Sequence, residues 1–213
     1  MHIDGNNERG AGGNGLSTLK MKAAKAVRVL TVPPIMALFL TSTLYAVMGA
    51  AAFKTPLRYF EAVFTLTLPP LIPYGLCALI PSWKQKGRRL ERTLGIVFSL
   101  LGYIMGTLFA LLGRGTRIEK ILYLTYIISG ALLGILTFVF RFKASGHTCG
   151  AAGPFALLNL QLGPWWLLGY LLMIPIFISS IRLKRHSIAQ LLAGGAVSVG
   201  ALAVAVRIVS LMS

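Results

Sequence analysis

Six apolar runs, each about the 20 residues that an α-helix needs to cross the hydrocarbon core of a bilayer, divide this chain. They lie at 28–52, 59–81, 94–113, 119–142, 164–182 and 187–211. In lipid every backbone polar group must find its partner inside the protein, so such runs fold as helices. The expected fold class is all-α, a polytopic transmembrane helical bundle. A seventh piece, 146–160, is rich in glycine and alanine. At ~1.5 Å per residue it is shorter than the ~30 Å core. It is expected to pack within the bundle, where Gly150, Ala151, Ala152 and Gly153 permit close helix approach. Pro69, Pro70 and Pro73 predict a kink in the second run, with neighbouring helices satisfying the freed carbonyls.

Residues 1–27 read as a disordered basic tail and 28–213 as one transmembrane domain. The first run has the basic start and apolar centre of a signal peptide, and Met48-Gly49-Ala50-Ala51-Ala52 could mimic its cleavage site. The long polar lead-in and Pro33-Pro34 favour an uncleaved first span. Cys77 and Cys149 stand in or beside apolar segments without metal-ligand spacing, so they are expected to be small buried hydrophobes rather than a disulfide. Trp83, Trp165 and Trp166 read as interfacial belt residues. Tyr103, Tyr123 and Tyr126 read as packing residues.

Charge is scarce and one-sided. Lys and Arg number 21 against 5 Asp and Glu, a net charge of +16, and mean hydropathy is +0.76. The cations sit in clusters between apolar runs rather than along one face, which excludes a nucleic-acid binder and fits a membrane protein. Anionic membrane lipids or a phosphate-bearing substrate would complement them. Counted from the N-terminus, the spans place residues 82–93, 143–147 and 182–186 on one side of the membrane. Cations favour that side by fifteen to five. Nine of the fifteen belong to these stretches and Arg141 stands just before the second; without these ten the sides are equal. The count leans to a cytoplasmic site.

Two of the three histidines, His147 and His186, head apolar helices just beyond Lys143 and Arg185. Ionisable groups at such depth are costly and point to function. Two imidazoles among cations suit phosphoryl transfer. One attacks phosphorus, the other protonates the leaving oxygen, and Lys and Arg hold the phosphate oxygens.

The stretch Lys143-Ala144-Ser145-Gly146-His147-Thr148 resembles the second motif of the type 2 phosphatidic acid phosphatase superfamily, membrane lipid phosphate phosphatases related in fold to vanadium haloperoxidases. Ser179 through His186, followed by Gln190-Leu191-Leu192-Ala193-Gly194, resembles the third motif. Together they look like a bacterial branch of that superfamily. The resemblance covers most of residues 84–195 and implies a phosphatase of the bacterial cell membrane acting on a lipid phosphate without a cofactor or metal. It implies His186 as nucleophile and His147 as general acid. Ser145 and the Gly146 backbone would bind phosphate, with Lys143, Arg182, Lys86, Arg89 and Arg92 as the cations. The chain departs from the pattern at three places. Ala144 stands for a proline. Ser180 stands for an arginine, for which Arg182 is the nearest substitute. Gln190 stands for a carboxylate, so it would orient His186 without supplying charge. These departures keep open a catalytically weak or inactive relative that binds anionic lipid. A haem protein with His147 and His186 as axial ligands is a third reading.

Overall fold

The computed structural model describes residues 9–85 and 87–212. Among these it is all-α, with no strand. The helices are α1 (Arg9–Leu30), α2 (Pro33–Met48), α3 (Pro56–Leu79), α4 (Pro81–Gln85), α5 (Gly87–Leu112), α6 (Arg117–Phe138), α7 (Gly146–Leu162), α8 (Met173–Arg182) and α9 (Ile188–Leu211). A 3-10 segment, Pro164–Leu172, leads into α8. Six segments are long and apolar enough to cross a membrane: Pro33–Ala51, Pro56–Leu79, Arg89–Leu112, Arg117–Phe138, Pro164–Arg182 and Ile188–Leu211. This is a multi-pass membrane protein.

Its faces follow from the pattern. On α3 the large apolar residues Leu57, Phe60, Phe64, Leu68 and Leu71 are exposed at helical spacing. Ala62, Thr65, Leu66, Pro69 and Pro73 on the other face are buried. A water-soluble helix would reverse this arrangement; lipid permits it. Helix α3 runs through its three prolines and lies along α5. Pro69 cannot donate to the Thr65 carbonyl. Gly102 of α5 lies directly against that carbonyl, which a Cβ at position 102 would overlap.

Helix α7 is the interior piece. Thr148, Cys149, Ala151, Ala152, Gly153, Pro154, Phe155, Leu157 and Leu158 are all buried. The helix packs against α2, α9 and the 3-10 segment. Gly150 meets Pro33 so closely that a Cβ there would come within 2.8 Å of the proline ring. Cys149 is buried and Cys77 half-buried, both as free thiols, while Tyr103 and Tyr126 pack edge to face at 5.2 Å.

At three places the structure differs from the sequence reading. Of the segment read as a disordered tail, residues 9–27 belong to α1, which packs on α8 with Ala24 buried, and residues 1–8 lie outside the described residues. Its Leu19–Leu30 stretch is rich in Lys, Ala and Leu, all strong helix formers. The first span does not begin at residue 28. The chain breaks at Thr31-Val32 because Pro33 and Pro34 force the preceding residue out of the helical region, and Val32 is extended at φ −63°, ψ 144°. The 82–93 stretch, which reads as a loop between two apolar runs, is helical on both sides of Lys86, within α4 and α5.

The two ends of the bundle are separate. At one end, Thr116 donates to the Ala52 carbonyl at 2.7 Å, and Arg58 donates to the carbonyls of Phe109 and Gly113, both at 2.8 Å. At the other end the α1–α2 break, the α6–α7 loop and the α8–α9 turn meet.

Candidate functional site

His186 is delivered by a tight turn. Helix α8 ends with Lys184 in the left-handed region at φ 50°. Arg185 N–H donates to the Ser180 carbonyl at 2.9 Å and Lys184 N–H to the Ile181 carbonyl at 2.9 Å. This paired closure turns the chain sharply. Ser187 then caps α9 in a reciprocal box, its hydroxyl accepting from Gln190 N–H and the Gln190 side chain accepting from Ser187 N–H, both at 3.3 Å. The box fixes Gln190 one turn beyond His186. Because Gln190 Oε1 accepts from a backbone N–H, it presents an acceptor to His186 Nδ1 at 3.3 Å; the Lys143 carbonyl presents another at 3.2 Å. Facing two acceptors, Nδ1 carries the proton and Nε2 keeps its lone pair.

His147 stands in the first turn of α7. Ser145 caps that helix, its hydroxyl accepting from Thr148 N–H at 3.3 Å, and Ser145 N–H donates to the Gln190 carbonyl at 2.9 Å. The turn therefore lies directly on α9. Gly194 makes this possible, since a Cβ there would overlap both the Ser145 carbonyl and the Thr148 hydroxyl. By contrast a Cβ on Gly146 would meet nothing within 4 Å. As at any helix start, the first backbone N–H groups have no partner within the helix.

The imidazole of His147 is held by one residue, Arg28. Near the α1–α2 break, Val32 N–H turns to the Val29 carbonyl and not to that of Arg28. The Arg28 carbonyl instead lies 3.2 Å from His147 Nε2, which makes Nε2 the protonated nitrogen. Arg28 Nη2 faces Nδ1 at 3.4 Å, and Nη1 donates to Ser180 Oγ at 2.9 Å. On the opposite side Arg92 of α5 donates to Thr137 Oγ1 at 3.1 Å and to the Ala144 carbonyl at 3.3 Å. That contact braces the residue before Ser145.

Both imidazoles are harder to protonate than in water. Burial lowers the pKa of His147 to about 4, helped by the Arg28 charge and, less, by His186, against the opposing hydrogen bond to the Arg28 carbonyl. Burial also lowers His186. Its bond to Gln190 opposes this, and Arg92 and Arg28 add to it. Each histidine thus lies within electrostatic reach of the same guanidinium.

Searches of protein-family models, of characterised proteins and of solved structures found no match to this chain. The site stands on its own geometry.

That geometry brings together His186, His147, Gln190, Gly146, Arg92 and the backbone of Lys143. Ser145 is fully buried, and its hydroxyl accepts in the helix cap that shapes the turn. The Lys143 side chain is exposed, and the residue meets His186 through its carbonyl. Arg89 is exposed one turn before Arg92, and Arg182 is exposed at the end of α8; neither has a hydrogen-bond partner among the described residues. Lys86 lies outside the described residues. Ser180, where the resemblance expects an arginine, is met by Arg28 and not by Arg182. Arg28 is the residue that sequence reasoning counted only as a topological charge. The signal lay in Pro33-Pro34, which must end a helix within a turn of Arg28.

Proposed function

We propose that this protein is a membrane phosphatase that hydrolyses a lipid-linked phosphate or diphosphate through a phosphohistidine at His186. The observation that carries the reading is the state of that imidazole. Two acceptors fix its Nδ1 proton, which leaves Nε2 as a nucleophile within electrostatic reach of a second histidine and two guanidinium groups. Nε2 attacks phosphorus, and the bond from phosphorus to the lipid oxygen breaks. The electron pair leaves on that oxygen, which takes a proton from His147 Nδ1. Water then attacks the phosphohistidine, the nitrogen–phosphorus bond breaks, and the water's proton returns to His147 while inorganic phosphate departs. Arg92 stabilises the charge that builds on the phosphoryl oxygens. The resemblance in the two histidine stretches supports the same chemistry in a bacterial cell membrane, and the cation count leans the site to the cytoplasmic face.

The test is phosphate release from a panel of lipid phosphates and diphosphates by the purified protein. Release is expected, with inhibition by orthovanadate, which imitates five-coordinate phosphorus. Absence of release from every substrate, with lipid phosphate still bound, would favour the second reading. That reading is a relative that binds anionic lipid without turnover, and the uncharged Gln190 motivates it.

The pH dependence follows from the two shifts. The mechanism needs His186 neutral and His147 protonated. With the pKa of His147 at about 4, its protonated fraction in the free enzyme falls roughly tenfold per pH unit above that value. Protonation of His186 limits activity only below the ordinary imidazole range, because burial depresses its pKa too. The maximum of kcat/KM is therefore expected on the acid side of neutrality. A profile of kcat/KM that keeps rising through pH 8 would contradict these assignments.

A further inference from the structure

We propose that Arg28, supplied by the helix that precedes the first span, is a phosphate ligand of the site. Its guanidinium would leave Ser180 Oγ and His147 Nδ1 for two oxygens of the bound phosphoryl group. The inference rests on the phosphatase reading for the identity of its ligand.

Three observations point there. First, the two terminal nitrogens of Arg28 already reach across the site, to Ser180 at the end of α8 and to His147 at the start of α7, at 2.9 and 3.4 Å. A planar guanidinium with two outward nitrogens matches two oxygens of one phosphate. Second, Ser180 Oγ and His147 Nδ1 are neutral acceptors, and the contact to His147 is long. A phosphate dianion pairs its full charge with the guanidinium and can take two parallel N–H bonds, which a hydroxyl and an imidazole cannot offer. Third, the position is built and not accidental. Ala24 is buried where α1 packs on α8. The buried Thr31 hydroxyl donates to the Val27 carbonyl at 2.7 Å, and the His147–Arg28 carbonyl contact anchors the backbone of Arg28 itself. The side chain can change partners while its main chain stays in place.

The exchange has a second effect. It takes a cation off Nδ1, the nitrogen from which the leaving oxygen would receive its proton. Substrate binding would thereby prepare His147 as an acid, at the moment an acid is needed.

The experiment uses full-length protein in detergent, with Arg28→Ala and Arg28→Lys. Losing two charge-assisted hydrogen bonds is expected to weaken orthovanadate inhibition and lower kcat/KM by about ten- to a hundredfold in Arg28→Ala. Arg28→Lys keeps the charge but not the fork and should fall between. Added guanidinium ion should restore part of the activity of Arg28→Ala and none of that of Arg28→Lys. The inference is overturned if orthovanadate inhibits Arg28→Ala as well as it inhibits wild type. It is also overturned if Arg28→Lys and wild type are indistinguishable. Should wild type release no phosphate at all, the phosphatase reading falls first, and calorimetric titration with orthovanadate decides the remaining question. Binding lost in Arg28→Ala and weakened in Arg28→Lys would uphold the ligand, and binding unchanged in Arg28→Lys would end it.

Discussion

Changing His186 to alanine is expected to reduce phosphate release by about a thousandfold or more, to the level of a protein-free control. A nucleophile that forms the covalent intermediate cannot be replaced by the groups around it, and removing one member of such a unit costs nearly as much as removing all. His147→Ala should differ in kind. It removes the proton donor and leaves the nucleophile, so the loss should be large with an alkyl phosphate and small with an aryl phosphate, whose oxygen departs unaided. The pair of variants measured on both substrates separates attack from leaving-group protonation. Equal release by wild type and His186→Ala would end the phosphohistidine mechanism.

The second large effect is expected at a residue with no side chain. Gly194→Ala places a methyl on the Ser145 carbonyl and the Thr148 hydroxyl, and the turn that starts α7 has to move. That turn donates Ser145 N–H to Gln190, and the chain just before it presents the Lys143 carbonyl to His186. Overpacking of this kind costs about 1–3 kcal/mol of stability. A displacement of about 1 Å in the site is enough to cost about a hundredfold in rate. Gly195→Ala is the control. Its methyl would rest 3.9 Å from Ala152, an ordinary contact, so stability and turnover should stay close to wild type. Thermal unfolding in detergent and phosphate release measure both. If Gly194→Ala and Gly195→Ala behave alike, the close approach of α7 to α9 does not position the histidines.

Much of this architecture is legible in the sequence because lipid makes few folds possible. Six runs of the right length fix the spans, and a poorer Gly/Ala-rich run can only sit among them. Counting crossings places 143–147, 182–186 and the basic stretch near 82–93 together, as the contacts of Arg92 and His186 bear out. Side-chain work is less legible. Ser145 looks like a phosphate ligand by its place before Gly146-His147, but a serine just before a helix is equally a cap, and the structure uses it so. Lys143 draws attention by its charge and makes its recorded contact through its carbonyl, which no residue type advertises. Arg28 lies 119 positions from His147. No local pattern joins them; the join depends on how α1 packs on α8, and tertiary packing decides that.

The side chains that meet His147 and His186 come from the first and last helices of the described chain, α1 and α9. Helices enter a membrane in the order in which they are made. Arg28 therefore waits through the insertion of every later span before Gln190 arrives to orient the second imidazole. A nascent or prematurely ended polypeptide, however well its early spans had settled, would be chemically silent, and activity would begin only with the final segment in place.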